Sequence, residues 1–192
     1  MKNKSPLLAI VSLVFTVIFT VSCSQSENNM NRNIIMDEII EKLDDIDAKQ
    51  ADSLRQLLPQ SVGNVNDYEE LFSTEQMQLL AEKINLHEQV TTNEIGIVTT
   101  ADFSPYDNID DYSLELFNKW GIGKKDKDNG VLITVSQKNK IVRITTGIGV
   151  GNVLTDSLAT SINDEIMIPF FKEGDYYGGV NAGLEAVIEI IE

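Results

Sequence analysis

The chain of 192 residues has room for a short targeting segment and one domain of ordinary size. Thirty acidic against fifteen basic residues leave a net charge of -15, a field that repels phosphate backbones and excludes nucleic acid as the expected partner. One cysteine and one histidine exclude an internal disulfide, a multi-histidine zinc site and a histidine acid/base pair, which leaves oxygen donors suited to calcium or magnesium as the abundant ligand type.

Lys2 and Lys4 precede an uncharged, mostly apolar run from Leu7 to Val21, and the small Ser22 follows it. Residues 1–22 therefore read as a signal peptide. The sole cysteine, Cys23, stands at the end of that run, where Phe19-Thr20-Val21-Ser22-Cys23 resembles a bacterial lipobox with Thr20 in the place of the usual leucine. The expectation is removal of 1–22, lipidation of Cys23, and a domain held by that lipid to a membrane of the cell envelope, outside the cytoplasm. A plain N-terminal anchor, or cleavage elsewhere, fits the same residues.

Residues 23–61 read as a tether and an acidic amphipathic helix. Ser24 to Asn33 is polar and rich in Ser and Asn. From Ile34 to Leu58, Ile35, Ile39, Leu43, Ile46, Leu54, Leu57 and Leu58 recur near helical spacing, and Pro59 closes the helix. Spacer, docking helix and core element all fit this pattern.

Residues 62–192 read as the compact domain. Ser73 and Gln76 form a capping box before a helix whose apolar face is Met77, Leu80, Ala81 and Ile84, with His87 on the same stripe as a core-edge residue rather than a catalytic one. Ile95 to Thr100 is a buried strand by its β-branched run, and Asp107 to Trp120 is a helix stopped by Gly121 and Gly123. Val131 to Val135 and Lys140 to Thr146 are strands joined by Ser136-Gln137-Lys138-Asn139, so they form an antiparallel hairpin. Thr155 or Asp156 caps a helix ending before Pro169, and Asp175 caps a last one with Val180, Leu184, Val187, Ile188 and Ile191 inward. The succession predicts an α/β fold, a three-layer α/β/α sandwich around a small mixed sheet that contains the hairpin.

Gly121 to Gly130, GIGKKDKDNG, feeds the first hairpin strand, and Gly147 to Asp156, GIGVGNVLTD, leaves the second. Antiparallel pairing brings the start of one strand beside the end of the other, so Asp126, Asp128 and Asn129 are expected close to the loop that ends at Asp156. Such carboxylates and carbonyls suit a hard divalent cation, calcium first and magnesium with waters second. Asp-Asn-Gly is equally an ordinary turn and Asp156 an ordinary helix start, and the residues alone leave both roles open. The EF-hand pattern fails, because its glycine comes one residue early and Gln137 stands where a bidentate glutamate belongs; the glycines of 147–151 lack nucleotide-loop spacing.

Val65-Asn66-Asp67-Tyr68, Trp120-Gly121-Ile122-Gly123, Asp128-Asn129-Gly130-Val131-Leu132, Arg143-Ile144-Thr145-Thr146-Gly147-Ile148-Gly149, Leu154-Thr155-Asp156 and Phe171 to Gly179 stand in the order and spacing of the TPM domain family. The resemblance runs from about Val62 to Glu192. It implies an exported or membrane-tethered α/β/α sandwich with acidic loops that bind calcium or another divalent cation in some members. Plant thylakoid relatives are linked to photosystem II repair and to acid phosphatase activity. Asp67, Asp128 and Asp156 match the family's characteristic acids and Arg143 its basic strand residue. Many members carry a C-terminal transmembrane helix or glycine-rich tail; none follows the matched region before Glu192, so the expected tether is the lipid on Cys23. The expected role is a divalent-cation-binding domain at a membrane surface, assisting assembly or upkeep of membrane protein complexes. The alternative is a metal-dependent phosphomonoesterase in which Arg143 contacts the anion.

Overall fold

The computed structural model describes the backbone of residues 28–192 and the side chains from residue 35 onward. The signal peptide at 1–22, the lipid site Cys23 and the first part of the tether lie outside the described residues. The described residues fall into two units, residues 28–50 and a compact unit from Ala51 to Glu192. Among the described residues no helix is long and apolar enough to cross a membrane.

Helix α1, Asn28–Leu57, is 30 residues long, about 45 Å at 1.5 Å per residue. It begins at Asn28, so the second half of the stretch read as a tether is helical. At its other end, within the compact unit, Leu58 is buried against Val98, Tyr112, Leu116 and Leu132.

The compact unit continues with β1 (Val65–Asp67), α2 (Thr74–Thr91), β2 (Glu94–Thr99), α3 (Ile109–Trp120), β3 (Gly130–Ser136) and β4 (Ile141–Thr146). After them come α4 (Ile148–Gly151), α5 (Asp156–Ser161), a π-helical turn (Ile162–Met167), α6 (Ile168–Lys172) and α7 (Tyr176–Ile190). The sheet order is β1-β2-β3-β4; β1, β2 and β3 are parallel and β4 is antiparallel to β3. The mixed sheet and its hairpin are thus those the sequence predicts. Strand β1 was not foreseen, since three residues are too few to display a period.

Alternation along the strands divides the core. Ile95, Ile97, Val131, Ile133, Val135, Val142 and Ile144 face α2, the α5–α6 segment and α7, in a cluster with Leu80, Ile84, Met167, Val180, Leu184 and Val187. Val98 and Leu132 face α3 on the other side. Every residue of β3 is buried, as a strand covered on both faces requires. The α3 face is smaller and carries a buried hydroxyl cluster, in which Ser113 Oγ lies 2.7 Å from Thr134 Oγ1 and 2.8 Å from Thr145 Oγ1. Arg55 holds Glu115 through both Nε and Nη2, Lys119 Nζ donates to Leu58 O, and Trp120 Nε1 donates to Pro59 O. These contacts fasten the end of α1 and the chain beyond it to α3.

The caps are local and match the sequence. Ser73 and Gln76 make both bonds of the capping box, and Asp175 Oδ1 accepts from Gly178 N. One boundary does not match, because the helical path from Asp156 passes through Pro169 to Lys172. The π-helical turn explains this: Ile168 N donates five residues back to Asn163 O, so the wider turn precedes the proline that lacks a donor.

His87 is buried near the α2–α7 contact, and its Nε2 has no hydrogen-bond partner among the described residues. Burial pushes its pKa below the ordinary imidazole value, against an opposing pull from Glu192. The native state therefore favours the neutral ring, and the unfolded chain takes up the proton first as pH falls. His87 is neutral in its effect above about pH 6.5 and removes stability below it. In urea unfolding followed by Trp120 fluorescence, His87→Leu is expected to lose less stability than the parent protein between pH 7.5 and pH 5.5.

Candidate functional site

The paired loops at the amino end of β3 build one surface, on which Asp126, Asp128 and Asp156 stand among Lys124, Lys125 and Lys127. Helix α3 ends at Gly121 in the left-handed conformation (φ +64°), and the chain returns to β3 through residues 122–129. Asp128 is also left-handed (φ +48°), a conformation aspartate tolerates better than most side chains. Its N–H donates to Lys124 O at 2.8 Å, which closes the turn.

The second loop is joined to this turn by main chain. Gly147 N donates to Gly130 O at 2.9 Å and Gly149 N to Asp128 O at 3.0 Å. A Cβ on Gly149 would stand 1.9 Å from Lys127 O, and one on Gly147 2.1 Å from Asp128 O. The approach of the two loops expected from the hairpin is therefore present, at backbone contact.

The candidate residues divide by what they touch. Asn129 is buried, and its amide is a brace: Oδ1 accepts from Lys124 N at 2.9 Å while Nδ2 donates to Thr92 O and Asn93 Oδ1, each at 2.9 Å. Asp126 and Asp128 are exposed on the same turn. Asp156 is exposed at the first position of α5, where the helix end favours an anion, and the cap itself is Thr155, whose hydroxyl accepts from Leu158 N. No side-chain partner is present for these three carboxylates among the described residues.

Two of the loop's three lysines, Lys124 and Lys127, are drawn elsewhere, and Lys125 is exposed beside Asp126. Lys124 Nζ donates to Glu88 at 2.9 Å and to Glu94, and these bonds, the one to Glu94 foremost, raise its pKa above the usual lysine value. Glu94 Oε2 also accepts from Gly123 N at 2.7 Å, and Lys127 Nζ donates to Thr92 Oγ1 at 2.7 Å. Beside this cluster lies a cleft of about 250 Å³, lined by Glu88, Glu94, Gly96, Trp120 and Ile122 among others. Sequence reasoning missed Glu88 and Glu94 as neighbours of the loop. Glu94 at the strand start was the available signal, but only the β2–β3 register, Glu94 opposite Gly130, makes it meaningful.

Asp67 stands apart. It ends β1 opposite Thr99, whose own neighbour across the sheet is Val135, near the far end of β3. Five residues separate that level from Gly130, about 17 Å along the strands. Its Oδ2 accepts from Phe72 N at 2.7 Å and its Oδ1 from Thr99 Oγ1. The structure does not bring Asp67 together with Asp128 and Asp156. Arg143 faces α3 opposite Thr134, with Nε 3.3 Å from Asp110 Oδ1 but not aligned as a hydrogen bond. Among the described residues, no three carboxylate, histidine or cysteine side chains form a group able to hold a metal ion. A cation at the loop pair would therefore rely on one or two carboxylates with carbonyls and waters.

Substitution of the glycines separates close approach from backbone conformation. Gly149→Ala, blocked by a main-chain carbonyl, is expected to lose more than about 2 kcal/mol, as overpacking does. Gly121→Ala, with open space around its Cβ but a positive φ, is expected to lose about 1 kcal/mol. Denaturant unfolding of the two variants checks the order.

The TPM domain family matches residues 65–190. Among solved structures, the chain is similar to the N-terminal domain of a protein from Porphyromonas gingivalis (P. gingivalis), at 28% identity and a TM-score of 0.62 over 68% of this chain and 83% of that one. It shares its fold with the N-terminal domain of a Corynebacterium glutamicum protein, at 17% identity and a TM-score of 0.54 over 71% and 85% of the two chains. The same holds for a protein of the psychrophilic bacterium Bizionia argentinensis, at 22% identity and a TM-score of 0.56 over 65% and 83%. No curated protein matches the sequence.

Proposed function

Because the chain belongs to the TPM domain family, whose match spans residues 65–190, we propose that it is a divalent-cation-binding module, with calcium the preferred ion. The observation that supports this reading is the commitment of Lys124 and Lys127, two of the loop's three lysines, to Glu88, Glu94 and Thr92, with Lys125 exposed beside Asp126. That leaves Asp126 and Asp128 exposed on a loop whose shape is set by main-chain bonds. Asp128 is the principal ligand in this reading. Asp126 and Asp156 add charge, main-chain carbonyls and waters complete an all-oxygen shell, and Asn129 holds the turn. So few carboxylates place the affinity in the range of extracellular calcium modules, a Kd of about 0.1–1 mM.

Calcium titration by calorimetry, with thermal unfolding alongside, tests the assignment. A ligand that binds only the native state stabilises it by about 2.7 kcal/mol at 100 times Kd. Asp128→Ala is expected to weaken binding at least tenfold, about 1.4 kcal/mol. Asp67→Ala is expected to keep the parent's calcium affinity while losing about 1–3 kcal/mol of stability, because Phe72 N and Thr99 Oγ1 lose their acceptor. Equal affinity in the parent and in Asp128→Ala would return the loop to the role of a turn.

The same reading places the module at a membrane surface through lipid on Cys23, where it assists membrane protein complexes. Support comes from the sequence of residues 1–23, a charged start, an apolar run and a single cysteine at its end. In a bacterial host, Cys23→Ser is expected to abolish fatty-acid labelling and to release the protein from the membrane fraction; labelling that persists in the variant refutes the anchor.

A further inference from the structure

Helix α1 between Ile35 and Gln50 displays an apolar stripe that nothing in its own unit covers among the described residues. Ile35 is 54% exposed, Ile40 50% and Ile46 55%, while Met36, Ile39 and Leu43 continue the same side. Met36, Ile39, Leu43 and Ile46 follow the 3-4-3 spacing of a coiled-coil seam, with Met36 and Leu43 at a and Ile39 and Ile46 at d. Gln50 falls at the next a position, a polar residue of the kind that sets register.

The charges are sorted around this seam. Asp37 and Asp44 fall at b, Glu38 and Asp45 at c, and Glu41 at f, all on the outer side. The lysines, Lys42 and Lys49, occupy g, and the one remaining acid of the stretch, Asp47, occupies e. In a parallel arrangement g faces the e position five residues further along the neighbouring helix, so Lys42 meets Asp47 of the next copy. An antiparallel arrangement sets g against g, lysine against lysine. The ion pairs Lys42–Glu38 and Lys49–Asp45, each at 2.7 Å within the helix, hold the lysines along the seam's flank.

We propose that this part of α1 is a self-association surface, a parallel coiled coil with further copies of the same chain. Leu43 at a with Ile39 and Ile46 at d shifts the preference from two strands to three or four, and Ile35 at g and Ile40 at e widen the apolar face in the same direction. The seam is short, so association is weak in dilute solution and grows when a shared surface raises the effective concentration.

The test uses the full chain in density-matched detergent, by sedimentation equilibrium at about 100 μM. The parent is expected to show the mass of an oligomer, and Ile39→Asp with Ile46→Asp the mass of one chain with unchanged Trp120 fluorescence. Lys42→Glu, a surface change that leaves folding intact, is expected to weaken association about tenfold through several repulsive pairs, and adding Asp47→Lys to restore it. In a Cys23→Ser background, oxidation is expected to join Gln50→Cys chains to one another but not Asp44→Cys chains. A single-chain mass for the parent overturns the proposal. So does association indifferent to the two isoleucines, a Lys42→Glu defect that Asp47→Lys does not rescue, or equal cross-linking at positions 44 and 50. A monomer that binds phosphatidylcholine vesicles through the same isoleucines would overturn it too, by making the face a lipid contact.

Discussion

The candidate site depends on one backbone contact, the extension of the β3–β4 pairing past the ends of both strands. Gly147 N meets Gly130 O and Gly149 N meets Asp128 O, so two loops that differ in length and origin behave as one surface. The contact reaches into the core as well. Val150 and Leu154, on the same loop, are buried in the larger apolar cluster, and Leu154 N donates back to Val150 O. Pulling the loops apart would open that cluster, which couples the placement of Asp128 to the packing of the sheet.

What could be read from the sequence was whatever is local or follows from a hairpin. The capping box at Ser73, the Asp175 cap and the Gly121 stop each involve residues within four positions of one another, and all are present. The hairpin itself brought Asp128 near the second loop, since antiparallel neighbours must place a start beside an end. The order of the parallel strands was not available in the same way. Asp67 was grouped with Asp128 through family likeness, whereas the register puts them at opposite ends of the sheet, and β1 is too short to announce itself. Pro169 misled for a different reason: a proline ordinarily closes a helix, but a preceding π turn lets the helical path continue.

The two ends of the sheet use carboxylates in opposite ways. At the carboxyl end of the parallel strands, Asp67 accepts from Phe72 N, and Glu69 accepts from Gln137 N and Lys138 N at 2.8 and 3.0 Å. Those acids hold the β1–α2 connection and the hairpin turn in place. A cation that took their oxygens would leave main-chain donors without acceptors, at a cost of about 1–3 kcal/mol for each one that stays buried. At the amino end, the oxygens of Glu94 are likewise engaged, by Lys124 and Gly123. Among the described residues, the side chains of Asp126 and Asp128 on the turn, like that of Asp156, stand outside these structural bonds.

That division sets the character of the proposed binding. A cation drawn to the turn would meet Asp126 and Asp128 without displacing any hydrogen bond that the fold uses, and Asn129 would keep its brace to Thr92 and Asn93. Binding of that kind would leave the fold's own hydrogen bonds in place, unlike a structural zinc site whose binding energy is folding energy. It also follows that the ion gains little from preorganised charge, since only a few carboxylates are free. The surrounding field compensates in part: with a net charge of -15, the chain concentrates cations near its surface, more so at low ionic strength. In the proposed function, weak local ligation combined with a strong general field would yield a site whose occupancy follows the ambient divalent concentration, the behaviour of a module that responds to its surroundings rather than one that stores the ion.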